Sequence, residues 1–278
     1  MEWQNLVVGP LSMAAGVLAL LVALAAFLWS TGKFEGYDPI DEMLRRDNAA
    51  LGIRYASFTL AVVFALLAIF DRAQGDAGAL DFLLHALLAT LLIYLSRYLN
   101  DWFILYDFDN NREVVGEKNI AVAIVEGATY LASAYVVGGT FYDWSGGWWL
   151  AIAWFVIGQL LLIALGLIFR GFARNTGAAL DGQNTAVGVS LGAFLLAGGI
   201  VSGAVISGPS KGWQQDLAAV GVYLSCWLIL MVLIHFITEL FAFRSFRLST
   251  EIVEQGNIAA ALFKAAIFLS TTFAYVHG

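Results

Sequence analysis

Charge is what this chain lacks. Only 13% of its 278 residues are Asp, Glu, Lys or Arg, against about a quarter in an ordinary water-soluble domain. That shortage argues against a soluble fold, and a 60% apolar composition with mean hydropathy +0.80 makes the alternative a membrane protein. Basic residues are the scarcer sign, 14 against 21 acidic, and the net charge of −7 sits in short loops. That balance argues against nucleic-acid binding. The single cysteine, Cys226, lies inside an apolar run. It has no partner for an intrachain disulfide and gives no information on redox compartment. The leader Met-Glu-Trp-Gln-Asn has no Lys or Arg, and the apolar run behind it is too long for a signal peptide. A retained first span is expected. Enzyme signatures are missing too: no Gly-rich phosphate loop after a strand, no nucleophile elbow, no Cys/His metal spacing. Neither catalysis nor a cofactor is expected.

What the chain has is apolar runs and a repeat. Eight stretches are long enough to cross a bilayer: 6–30, 49–70, 80–104, 119–140, 147–169, 184–206, 217–243 and 257–276. Across them one string recurs four times, NAALGI at Asn48, NIAVAI at Asn119, NTAVGV at Asn184 and NIAAAL at Asn257. Counting from each Asn, position +2 is Ala, +4 is Gly or Ala, +5 is aliphatic, +8 is small and +12 is Leu; positions −5 and −4 are apolar. Self-similarity at intervals of 71, 65 and 73 residues means one structural unit used four times. Each unit holds two spans, so the unit is a membrane hairpin. The expected fold is all-α and polytopic: eight spans as four like-oriented hairpins, related by an axis along the membrane normal.

The motif has a mechanical reading. The apolar pair before each Asn predicts a short amphipathic helix along the membrane interface. Asn48, Asn119, Asn184 and Asn257 then fit as N-caps or turn residues where the chain enters the membrane. Small residues at +4 and +8 form a stripe that lets helices approach closely in lipid. These residues are expected to pack hairpins. The closer likeness is between halves: Asn48 lies 136 residues before Asn184, and Asn119 lies 138 before Asn257. The chain therefore divides into two four-span domains, 1–144 and 147–278, with a seam near Ser145-Gly146-Gly147.

Basic residues set orientation. The loops after spans one, three, five and seven carry nine of the fourteen: Lys33, Arg45, Arg46, Arg112, Lys118, Arg170, Arg174, Arg244 and Arg247. The opposite loops carry two, Arg72 and Lys211. The bias places the motif loops in the cytoplasm and both termini outside. Phe141-Tyr142-Asp143-Trp144 with Trp148 and Trp149 would form an outer aromatic belt.

The repeated string resembles the signature of the YjfL-like bacterial membrane family, domain-of-unknown-function family 350. That family is a four-span module with an Asn-x-Ala-x-Ala-Ile-like string entering a span, followed by small residues. The resemblance covers nearly the whole chain as two tandem copies. NIAVAI at Asn119 and NIAAAL at Asn257 fit best, and NAALGI and NTAVGV are degenerate. It implies a bacterial inner-membrane protein in membrane-stress or phage-shock-like systems, and it brings no catalytic residue.

Ionisable residues inside the spans are the candidate site. In the even hairpins position −22 is Arg97 and His235, −18 is Asp101 and Glu239, and +7 is Glu126 and Lys264. Positions −22 and −18 share a helix face. Position +7 lies roughly 10 Å along the returning helix. Charges at that depth are costly unless paired or hydrated. One reading pairs Glu126 with Arg97 and Lys264 with Glu239 as structural locks. The other makes the cluster, net −1 with His235 neutral, a hydrated path for a cation or proton. Arg54, at +6 in the first hairpin alone, reads as an interfacial residue reaching out to headgroups. A metal on His235, Glu239 and Asp101 is opposed by Arg97 and Lys264. His85 and His235 differ in depth by roughly 18 Å, too far to share a haem.

The sequence thus leads to gated ion or proton conduction in an envelope-stress context. The alternative is a non-conducting scaffold whose acidic inner loops recruit a basic cytosolic stress-response partner. The lipid bilayer is the assured contact, and self-association stays open.

Overall fold

The structure, a computed structural model, describes residues 3–72, 79–141, 147–173, 175–241 and 247–278. The seam residues Ser145 and Gly146, the aromatic Tyr142 and Trp144 with Asp143, the basic Arg174 and Arg244, and the Arg72 side chain lie outside the described residues. Among those described, all regular structure is helical, and eight helices are long and apolar enough to span a membrane. In chain order the elements are α1 (Trp3–Phe34), α2 (Pro39–Leu44), α3 (Ala49–Arg72), α4 (Ala79–Phe103), a π-helical turn (Arg112–Gly116), α5 (Ile120–Thr140), α6 (Trp148–Phe172), α7 (Thr176–Asp181), α8 (Thr185–Ile206), α9 (Trp213–Phe241), α10 (Leu248–Val253) and α11 (Ile258–His277). The chain is a multi-pass membrane protein of four hairpins, α1/α3, α4/α5, α6/α8 and α9/α11.

Each motif loop has the same local construction. A short helical turn precedes the Asn: α2, the π-turn, α7 and α10. The residue just before the Asn has positive φ in all four: Asp47 (49°), Lys118 (54°), Gln183 (58°) and Gly256 (64°). This left-handed residue ends the short turn and aims the chain into the next span. The Asn side-chain oxygen then accepts from the backbone N–H three residues on: Leu51, Val122, Val187 and Ala260, at 3.1–3.2 Å. The predicted N-cap is what the structure contains. Capping matters here because the first N–H groups of a helix have no partner within it, and lipid offers none.

The Asn amide does a second job that periodicity did not foretell. It donates to the carbonyls of the apolar pair in the next repeat. Asn48 Nδ2 reaches Val114 O (3.0 Å) and Val115 O (3.2 Å), and Asn184 Nδ2 reaches Ile252 O (3.1 Å) and Val253 O (3.0 Å). Asn119 Nδ2 reaches Leu180 O and its own Glu113 Oε2, both at 2.8 Å. The loops are thereby clasped one to the next at a single end of the molecule.

The clasp sets the register of a row formed by the second helix of each hairpin, α3–α5–α8–α11, flanked by the first helices α1, α4, α6 and α9. The middle pair, α5 and α8, joins the two halves. It approaches so closely that a Cβ on Gly188 would meet the Ala121 backbone, and one on Gly203 the Tyr135 carbonyl. Arg170 adds a further tie across the halves, donating to Ile104 O at 2.8 Å and pairing with Asp107.

Asn119 is fully buried and supplies one cap bond and two amide bonds. Replacing it with Ala should cost about 2–3 kcal/mol, from about 1 for the cap and about 1 for each lost hydrogen bond. Asn119→Asp keeps the cap acceptor, loses the clasp and faces Glu113. Thermal unfolding in detergent should rank wild type above both variants, and equal stability of Asn119→Ala and wild type would refute the clasp.

Candidate functional site

Five charged side chains meet where α1, α3, α4 and α5 approach the motif loops. Arg54 of α3 is completely buried, as is Glu126 of α5, and Arg54 Nε donates to Glu126 Oε2 at 2.8 Å. This corrects the expectation that Arg54 reaches out to headgroups. The expected pairing of Glu126 with Arg97 is present as a longer contact, Arg97 Nε standing 3.8 Å from Glu126 Oε1, with Arg54 the nearer partner. The reason is register. Asn48 holds the first two loops together, so +6 of α3 and +7 of α5 face each other. Opposite charges at matching depth in successive repeats were the signal in the sequence.

The remaining contacts close a network. Arg54 Nη1 donates to Asn111 Oδ1 (3.0 Å) and Nη2 to the Asn110 carbonyl (3.1 Å). Tyr130 Oη donates to Glu126 Oε1 at 2.6 Å. Arg97 Nη2 pairs with Glu35 Oε1 at 2.5 Å, and its Nε lies 3.7 Å from Asp101 Oδ2. Glu35 follows the first span and went unnoticed in the sequence, because it sits with loop residues and has no repeat counterpart. Tyr37 also faces Arg54, at 3.5 Å. Burial pushes the Tyr37 phenol well above the usual range, with Arg54 opposing, so it stays protonated.

The network holds two guanidiniums against three carboxylates, for a formal charge of −1. It is incompletely paired: Arg97 Nη1 and Asp101 Oδ1 are buried without a protein partner at hydrogen-bonding geometry. Away from the loops it ends at an aromatic plug. Phe27 stacks on Phe58 at 4.0 Å, Tyr130 meets both edge-on, and Arg97 lies 5.4 Å above the Phe27 ring. All three rings are fully buried.

The second half uses the equivalent positions differently. His235 Nε2 and Glu239 Oε1 are 4.0 Å apart, each side chain about three-tenths exposed. Lys264 does not pair with Glu239. It lies over the rings of Phe268 (5.3 Å) and Phe169 (5.8 Å). His235 and Lys264 line an open, mostly apolar cavity of ≈ 970 Å³ between α6, α8, α9 and α11. The six predicted residues therefore fall in two places, one closed and one open. Asp101 belongs to the first and does not join His235 and Glu239 as a ligand set. Among the described residues no group of three or more His, Cys, Asp or Glu is placed to hold a metal ion.

Arg54→Gln leaves Glu126 buried and uncompensated, so it should destabilise by about 3–5 kcal/mol. The double variant Arg54→Gln/Glu126→Gln should recover part of that loss, because the pair is directly coupled. Chemical unfolding of the four proteins in the cycle measures it, and strictly additive losses would contradict the pairing.

A UPF0719 transmembrane protein of Aquifex aeolicus (strain VF5) is 23% identical over 242 residues, covering 84% of this chain and 86% of that one. No solved structure matches. The family model described as Domain of Unknown Function (DUF350) matches twice in tandem, at residues 2–141 and 143–277. With its four capped hairpins in two tandem copies, the chain belongs to that family.

Proposed function

We propose that the protein is a gated conductor of protons or small cations in a bacterial inner membrane, non-catalytic, acting in an envelope-stress context. The motif loops face the cytoplasm and both termini face outward. The observation that carries the reading is the network of Glu35, Arg54, Arg97, Asp101 and Glu126, with one carboxylate in excess of its guanidiniums and buried polar atoms left for water or an ion. Buried polar atoms of this kind are normally satisfied, by protein or by water. An excess carboxylate next to a shared guanidinium takes up a proton or cation without creating a net buried charge. Arg97 already divides its contacts among Glu35, Asp101 and Glu126, so protonation of any one shifts it toward the others. The Phe27–Phe58–Tyr130 plug is the closed gate, and access is from the loop side. The basic-residue asymmetry supports the orientation.

A second reading is favoured by the direct, fully buried Arg54–Glu126 contact. In it the network is a static lock in a scaffold that recruits a cytosolic partner through its loops.

Two outcomes test these readings. Asp101→Asn, which alters the loosely held carboxylate, should leave the melting temperature nearly unchanged and abolish pH-gradient-driven flux in proteoliposomes. Wild-type flux in a stable variant would sink the conduction reading and leave the scaffold. For orientation, in a background with Cys226 replaced, Arg112→Cys should react with an impermeant maleimide only after permeabilisation, while a cysteine at the C-terminus reacts in intact cells. The reverse pattern would overturn the assigned sidedness.

A further inference from the structure

The row α3–α5–α8–α11 uses one interface three times, always in the same sense. At α5/α8 the +4 and +8 residues of the later helix meet the +2, +5 and +9 residues of the earlier one, and at the other two steps the same +2, +4 and +8 positions are buried between the helices. At α3/α5, a Cβ on Gly127 (+8) would meet Ser57 (+9) and Ile53 (+5). At α5/α8, Gly188 (+4) lies on Ala121 (+2), and Gly192 (+8) on Ala128 (+9) and Ile124 (+5). At α8/α11, Ala261 (+4) and Ala265 (+8) are buried, as are Ala186 (+2) and Ala193 (+9). At each step the earlier Asn clasps the loop of the later repeat.

The two ends of the row therefore expose the two complementary halves of that interface. On α3, Ala56 (+8) is exposed and a Cβ on Gly52 (+4) would meet nothing. On α11, Ala259 (+2), Leu262 (+5) and Ala266 (+9) are exposed, whereas Ala50, Ala121 and Ala186 at +2 are fully buried. The clasp is unfinished as well. Asn119 donates to Glu113 and to Leu180 O, while Asn257 donates only to the corresponding Glu251, at 3.0 Å, among the described residues. By the same register its other N–H belongs on the carbonyl at −4 of a following repeat. In this chain that position is Leu44 of the first repeat, whose residue is 78% exposed where Leu180 is 1%.

We infer that the α11 face of one copy docks on the α3 face of a second copy, continuing the internal row head to tail, with the Asn257 amide closing on the second copy's Leu44 carbonyl. The occupant is a second copy because the surface left open is the other half of an interface this fold already builds three times. In lipid such contacts are driven by close packing and hydrogen bonding rather than by hydrophobic burial. Small residues at +4 and +8 with a spare amide donor supply both. The contact is heterologous, so it propagates until rotation closes a ring or the array stays open. The inference is independent of whether the charge network conducts.

The test is disulfide cross-linking in native membranes, in a Cys226→Ser background. Ala56→Cys and Ala266→Cys are placed on separate, differently tagged copies. Ala56 corresponds to Gly192 and Ala266 to Ala128, a pair close enough for a disulfide once side chains are present. Only the mixed pair should give a covalent dimer, and the double variant on one chain should give a ladder of higher species. Within one chain α3 and α11 are separated by α5 and α8, so an internal bridge does not compete. Ala56→Trp should abolish the oligomer in native mass spectra from nanodiscs while leaving the melting temperature unchanged. Dimers from Ala56→Cys alone, a monomer in nanodiscs for the wild type, or no mixed cross-link would each overturn the proposal.

Discussion

The clasp made by the motif asparagines is the constraint on which the rest depends. A helix entering lipid must satisfy its first N–H groups, and a turn ending at the membrane must satisfy its last carbonyls. One Asn does both at once. Its oxygen caps its own helix, and its amide holds carbonyls of the following repeat. The two bonds together fix how far each second helix slides against the next. Without that register, the small residues at +4 and +8 would not meet the +2 and +9 positions, and the backbones of α5 and α8 could not approach as they do.

The same register creates the charge network. Arg54 and Glu126 are 72 residues apart and lie in different hairpins. They meet because Asn48 holds the loop of the second repeat against the start of α3. Neither charge would be tolerable alone at that position, and their burial together makes the first half intolerant of slippage. The chain places Glu35 and Asp101 around Arg97 at the loop-facing margin, where the network is most exposed, and seals the other side with aromatic rings.

Duplication gave the second half the same frame with other contents. The +6 and +7 positions of α8 are Ser190 and Leu191, so no guanidinium comes forward to meet Lys264. Lys264 rests on phenyl faces instead, beside a cavity open at the margin of the bundle. The two halves share capping, turn geometry and helix order, and they differ in whether the centre is a closed ion network or an apolar groove.

Much of the fold was legible in the sequence. Eight apolar runs gave eight spanning helices, because lipid leaves an α-helix or a closed barrel as the only way to satisfy the backbone. The asparagine caps followed from one residue type recurring at the head of each second span. The site was half legible: Arg97, Asp101 and Glu126 were identifiable as ionisable groups at membrane depth, and they do converge. Which charge faces which was decided by tertiary structure. Pairing depends on the slide and rotation of one helix against another, and those are set by amide-to-carbonyl bonds between loops some 66 residues apart. Arg54 therefore moved from the expected periphery to the centre, Glu35 joined from a loop, and Lys264 lost the partner its spacing suggested. A repeat in sequence determines the local unit, because capping and helix formation are short-range. Only the packing of units against one another determines which side chains share a site.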